Sequence, residues 1–194
     1  MRSTLTITLG MVIMAFVACK GKKEQEDNGD SKGFFPVISY LQGQVREMDS
    51  TLNSIVKFVT VDSSKTDTIY LHRDQFREEA KDFLTLPDIS KPEYKDRYTE
   101  SSHYDETLDR SIVTYIPKDP QKEQIQQEEI MVKSEVSSGI ISHVIVNSVT
   151  NSKDSLVQKR MLWRSGQSFQ IVTIRQLAGE PATTTTVKVS WNEN

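Results

Sequence analysis

The sequence predicts an α+β fold: two short N-terminal helices with a long, twisted antiparallel β-sheet, and a closed lipocalin-like barrel as the rival arrangement. Three observations carry that expectation. From about Tyr94 onward, polar turn signals recur every ~8–12 residues, which is the spacing of a meander, sandwich or barrel. The segments between them are rich in β-branched and aromatic residues, and the last one alternates cleanly. Only two segments, both before Tyr94, carry apolar residues at helical spacing.

In chain order, the first helix is expected after Phe34-Phe35-Pro36, where Val37, Ile38, Leu41, Val45 and Met48 form one stripe. Pro36 suits its first turn, because a missing N–H is harmless there. Gly43 weakens its middle. Ile55–Val61 and Thr66–Leu71 are β-prone and flank the polar Asp62-Ser63-Ser64-Lys65, so they read as a hairpin. The second helix follows, with Phe76, Ala80, Phe83 and Leu84 on its apolar stripe, and ends at Leu86-Pro87-Asp88. Seven further strands are expected at roughly 95–104, 108–117, 126–136, 140–150, 155–164, 168–177 and 183–191. Short polar turns such as Ser137-Ser138-Gly139, Asn151-Ser152-Lys153-Asp154 and Ser165-Gly166-Gln167 separate the later ones. In the last strand Thr183, Thr185, Val187, Val189 and Trp191 share a face, opposite Thr184, Thr186, Lys188 and Ser190. The threonine run is therefore β-propensity, not low complexity, and Trp163 and Trp191 read as core.

The N-terminus sets the address. One positive charge at Arg2 precedes an apolar run from Leu5 to Val17, shorter than the ~20 residues of a spanning helix but suited to a secretory signal. Phe16-Val17-Ala18 then leads into Cys19, the only cysteine of the chain. This segment resembles the lipobox of bacterial lipoproteins, although Phe16 departs from the usual leucine; the resemblance covers residues 1–19. It implies that the peptide is cut before Cys19, that the Cys19 sulfur carries diacylglycerol, and that the new amino group is acylated. Residues 1–18 are then a signal peptide, 19–33 a lipid-anchored tether, and 34–194 a single domain.

The tether stretch KGKKEQEDNGDSKG has no apolar side chain and cannot offset the entropy of ordering. As a flexible coil it spans ~20 Å, enough to hold a domain clear of the headgroups. Position 20 is Lys, so the chain lacks the aspartate that resembles an inner-membrane retention signal, and the outer membrane is the expected address. The cluster Glu24, Glu26 and Asp27 is similar to surface-export signals but reads first as part of a solvated linker.

Composition narrows the function classes. With 24 basic and 27 acidic residues the net charge is −3, and losing Arg2 makes it 23 − 27 = −4. Mild acidity gives no support to nucleic-acid binding, which usually leaves a basic face. With its single cysteine anchored, the domain has no disulfide to rely on in an oxidising compartment, so its stability rests on a packed core. No metal or other cofactor is implied.

Catalytic signatures are absent: the chain has no HExxH, P-loop, G-x-G-x-x-G or G-x-S-x-G. Ser54-Ile55-Val56-Lys57 matches S-x-x-K, but on a β-prone segment residues three apart point to opposite faces. His72, His103 and His143 lie far apart, with no partner at a ligand spacing. His72 falls where local capping is expected, and His143 is expected to share a strand face with Ile141 and Ile145. The candidate binding residues are Tyr94, Tyr98, His103, Tyr104 and Asp105, because rings beside carboxylates suit sugar or protein recognition. The expectation is a lipid-anchored envelope protein, tied to the membrane through lipid on Cys19, whose β-rich domain binds an envelope protein or glycan or supports an assembly. Its alternatives are a periplasmic carrier of an apolar ligand and a hydrolase with an unrecognised site.

Overall fold

The structure is a computed structural model that describes residues 33–50, 52–62, 65–133 and 139–192. The signal, Cys19 and nearly all of the tether lie outside the described residues, as does the end of the 126–136 strand expectation. The compact unit begins at Gly33. It holds helices α1 (Val37–Glu47), α2 (Arg73–Glu79) and α3 (Lys81–Leu84) and strands β1 (Ile55–Val61), β2 (Asp67–Leu71), β3 (Tyr98–Asp105), β4 (Arg110–Pro117), β5 (Ile125–Lys133), β6 (Ile141–Asn151), β7 (Ser155–Arg164), β8 (Ser168–Leu177) and β9 (Thr183–Ser190). All nine strands form one antiparallel sheet in the order β2-β1-β9-β8-β7-β6-β5-β4-β3. The sheet is open, with β2 and β3 at its edges.

One expectation needs correction. The helices are not two: the second apolar stripe divides at Ala80, whose backbone (φ −82°, ψ −1°) is the C-cap of α2 and the N-cap of α3. Phe83 donates to the Ala80 carbonyl three residues back, which tightens the turn and separates the two short helices. The β1–β2 hairpin lies between α1 and α2, in the order expected from the sequence.

Helix α1 forms where the periodicity places it, burying Val37, Ile38, Leu41 and Val45. Pro36 sits at its N-cap, where its carbonyl accepts the Tyr40 N–H at 3.0 Å. The helix is tied to the turn between β7 and β8: Tyr40 Oη lies 2.6 Å from Ser165 Oγ, and Gly166 N–H donates to Gln44 Oε1 at 3.0 Å. Gly166 has φ +70°, a conformation open to glycine at little strain. Gly43 has no such reason to be glycine, because an added Cβ there would meet nothing within 4 Å. Gly43→Ala is therefore expected to raise the unfolding free energy by about 0.5–1 kcal/mol, read as a higher denaturant midpoint at unchanged slope.

The helices lie on one face of the sheet. The register aligns Val113, Ile130, Val144, Trp163, Phe169 and Val189 in one row across six strands. The next row runs Tyr115, Glu128, Val146, Met161, Ile171 and Val187. Phe76, Phe83, Leu41 and Val45 bury themselves in the same cluster. The expected alternation of the last strand is seen at its end, where Val189 and Trp191 are buried. Two register irregularities in the β5–β6 pair, at Gln126 and Ser142, turn Ile125 and Ile141 to the helix side. His143 consequently shares its face with Ile145 but not with Ile141.

Candidate functional site

The five candidate residues from the sequence do not gather at one point. Tyr94 and Tyr98 meet edge-on with centroids 6.2 Å apart, next to Arg97, whose guanidinium lies 4.6 Å from the Tyr94 ring centre. Arg97 grips Glu123 with two hydrogen bonds of 2.7 Å, and this holds its guanidinium proton more firmly than usual. Tyr98 is buried and donates to the Ile125 carbonyl at 3.1 Å; burial, helped by Glu123, drives its hydroxyl pKa well above normal. This group clamps the start of β3 to the β4–β5 connection.

At the other end of β3, Asp105 accepts the backbone N–H groups of Thr107 and Leu108 and so builds its own turn. Tyr104 donates to Asp109 across that turn. His103 is exposed and lies opposite Ile112 on the helix-free face. Among the described residues no three His, Cys, Asp or Glu side chains are grouped to hold a metal ion.

The remaining motif residues have local duties. Lys57 pairs with Glu79 at 2.7 Å, fastening the hairpin to α2, and does not face Ser54. His72 N–H donates to Gln75 Oε1 at 2.8 Å at the start of α2, the capping role its position suggested. His143 Nδ1 lies 3.1 Å from Ser142 Oγ, but that hydroxyl donates to the Met131 carbonyl at 3.0 Å. Burial, together with Arg164 and Arg110, lowers the His143 pKa.

Two surfaces have more to offer than these residues. The first is the helix-free face. Its centre carries Phe58, Met131, Ile145, Leu162 and Val172, all half-buried although no helix of the described residues packs there. Arg110, Lys133, Arg160, Arg164 and Lys188 also project from this face and outnumber its carboxylates, Asp105 and Glu129.

The second is a groove on the helix side, beyond the end of α3. Past the apolar row through Val146 and Met161, the register brings up Ser148, Lys159, Thr173 and Thr185. Thr150, Val157, Arg175 and Thr183 follow. All of these but Ser148 floor an open cavity of about 620 Å³; buried Ser148 lines, with Thr150, Val157 and Lys159, an adjoining recess of about 60 Å³ beneath α3. Lys159 reaches up to Asp82 of α3 at 2.7 Å, closing the helix-side wall.

The sequence hid these surfaces for a simple reason. Thr183 and Thr185 carry the same alternation as Val187 and Val189, and only the length of the helical layer leaves them uncovered.

One ionisable group has no place in either surface. Glu128 is 1% exposed beneath the helical layer, and its Oε1 has no hydrogen-bond partner. Burial, with Asp88 nearby, raises its pKa to about 8. Its neighbour across the strand pair, Tyr115, accepts the Phe35 N–H at 3.0 Å and packs on the Phe34 ring. Burial raises the Tyr115 hydroxyl to about 12.

No family model, no curated protein and no solved structure matches this chain.

Proposed function

We propose that this chain is a lipid-anchored protein of the bacterial cell envelope, held at the outer membrane through Cys19, whose sheet domain is a non-enzymatic binding module. The observation that carries the binding role is the helix-free face, a broad platform with an apolar centre and cations beside it. Large apolar side chains on an uncovered face favour a protein partner. The excess of cations repels the same face of a second copy and favours a partner that presents carboxylates.

Two observations argue against the alternatives. The helix-side core is filled by ring-on-ring contacts, and the recess under α3 is far below the ~300 Å³ at which ligand pockets begin. That leaves a carrier of apolar molecules without a chamber there. Asp105 accepts within its own turn, and the Ser142 hydroxyl donates to a backbone carbonyl and not to His143, so neither forms the acid–histidine or histidine–nucleophile pair that hydrolysis would require.

The test has two parts on the full chain in its native envelope. Cys19→Ser is expected to abolish labelling by a fatty-acid probe; persistent label and membrane fractionation would overturn the anchor. A photo-crosslinking side chain at position 162 is expected to give one defined adduct, absent from position 77 on α2 and lost in the Lys133→Glu/Arg160→Glu double variant. No adduct from position 162, or one unaffected by that charge reversal, would overturn the partner face.

A further inference from the structure

We infer that the helix-side groove is a binding site for an acidic oligosaccharide, a hydroxyl-rich chain carrying carboxylates, independent of the partner face. The argument starts from the two rows of the groove floor. Of the seven side chains that line the cavity four are hydroxyls (Thr150, Thr173, Thr183 and Thr185), two are cations, and only Val157 is apolar. A hydroxyl both donates and accepts, so a row of them matches a ligand whose own hydroxyls do the same. An apolar molecule would find almost nothing to bury itself against.

Charge then narrows the class. Lys159 is neutralised by Asp82 at 2.7 Å, whereas Arg175 has no ion-pair partner among the described residues. The floor therefore presents one uncompensated positive charge, in a planar guanidinium that binds a carboxylate with two parallel hydrogen bonds. A single charge suits a carboxylate better than a doubly charged phosphate. Arg175 is exposed and lines the open cavity beside Thr183 and Val157. The volume of about 620 Å³ falls within the ~300–1,000 Å³ typical of small-ligand sites. No aromatic ring lines the cavity, so recognition rests on hydrogen bonds and charge, and affinity should fall with salt.

The test titrates the full chain, in detergent micelles, with trigalacturonate and separately with the neutral trisaccharide maltotriose, read by calorimetry. Trigalacturonate is expected to bind saturably and maltotriose at least tenfold more weakly. Arg175→Gln should weaken trigalacturonate by about 10- to 100-fold, the loss typical of one charge-assisted contact. Its thermal midpoint should stay unchanged, since the side chain is exposed. Arg160→Gln, on the opposite face, should leave binding as it was. Absence of binding, equal affinity for the two trisaccharides, or loss of binding on Arg160→Gln but not on Arg175→Gln would overturn the assignment. None of these outcomes touches the partner face or the anchor, which are read by crosslinking and lipid labelling.

Discussion

Trp163→Ala is expected to cost about 3–5 kcal/mol of unfolding free energy, a large part of the ~5–15 kcal/mol by which a domain is normally stable. The indole is fully buried at the centre of a five-ring cluster. It stacks on Phe169 at 5.2 Å and meets Phe83 at 5.3 Å, Trp191 at 5.7 Å and Phe76 at 6.3 Å. Truncation removes these contacts and leaves a void that two helices and three strands would have to close around. Gln158→Ala, exposed on the same strand, should stay within about 0.5 kcal/mol. Trp163→Phe should cost clearly less than the alanine change, because it keeps a ring and removes a buried indole N–H that has no hydrogen-bond partner. A denaturant titration in which the alanine and glutamine-site variants unfold together would show that this cluster is not the core.

The second large effect is a pH dependence located at Glu128. In the unfolded chain its carboxyl ionises near the ordinary glutamate value of 4.5, whereas in the fold it holds its proton up to about 8. The native state thus binds more protons than the unfolded state across that window, so this group makes stability fall as pH rises. The stabilisation is complete below about pH 4.5 and is lost progressively as pH climbs through 8. Its size is on the order of 5 kcal/mol, from ~1.4 kcal/mol per pH unit.

The groups that set this behaviour come from different elements. Asp88, in the loop after α3, adds repulsion, and Tyr115 stands opposite on β4 with Glu100 beside it. Glu128→Gln keeps the shape and cannot ionise. The expected result is that wild type and variant differ least at pH 4.5, and that the variant becomes the more stable one at pH 9. Parallel stability curves for the two proteins from pH 4.5 to 9 would refute the assignment. Ionisation of Glu128 should also loosen the Phe34-Phe35 contacts on Tyr115, visible as faster amide exchange at Phe35, whose N–H that tyrosine accepts.

Much of the fold was legible because period-two and helical patterns are local. Nine β-prone segments became nine strands, and the stripes Val37–Val45 and Phe76–Phe83 became buried helical faces. The break at Ala80 was not legible, since the residues on both sides favour helix and a single cap conformation makes the division. The bulges at Gln126 and Ser142 were equally hidden, and they decided which side Ile125, Ile141 and His143 take. Of the candidate site residues, the sequence marked tyrosines and acids that the fold spends on a clamp and a turn. It passed over Arg175 and the threonines, which look like ordinary strand residues.

The strand segments, the two apolar helical stripes and the alternation within each strand thus follow from the sequence alone. Each depends on residues close together in the chain. The tertiary structure alone decided that the N-terminal hairpin pairs with the C-terminal strand, Val59 lying opposite Val187, and that the sheet stays open. It alone separated buried Glu128 from Glu129, and made Lys159, Arg175 and the threonines the floor of a groove. Alternation tells which residues share a face. Which strand lies beside it, and how far the helices reach across that face, depends on contacts between distant parts of the chain.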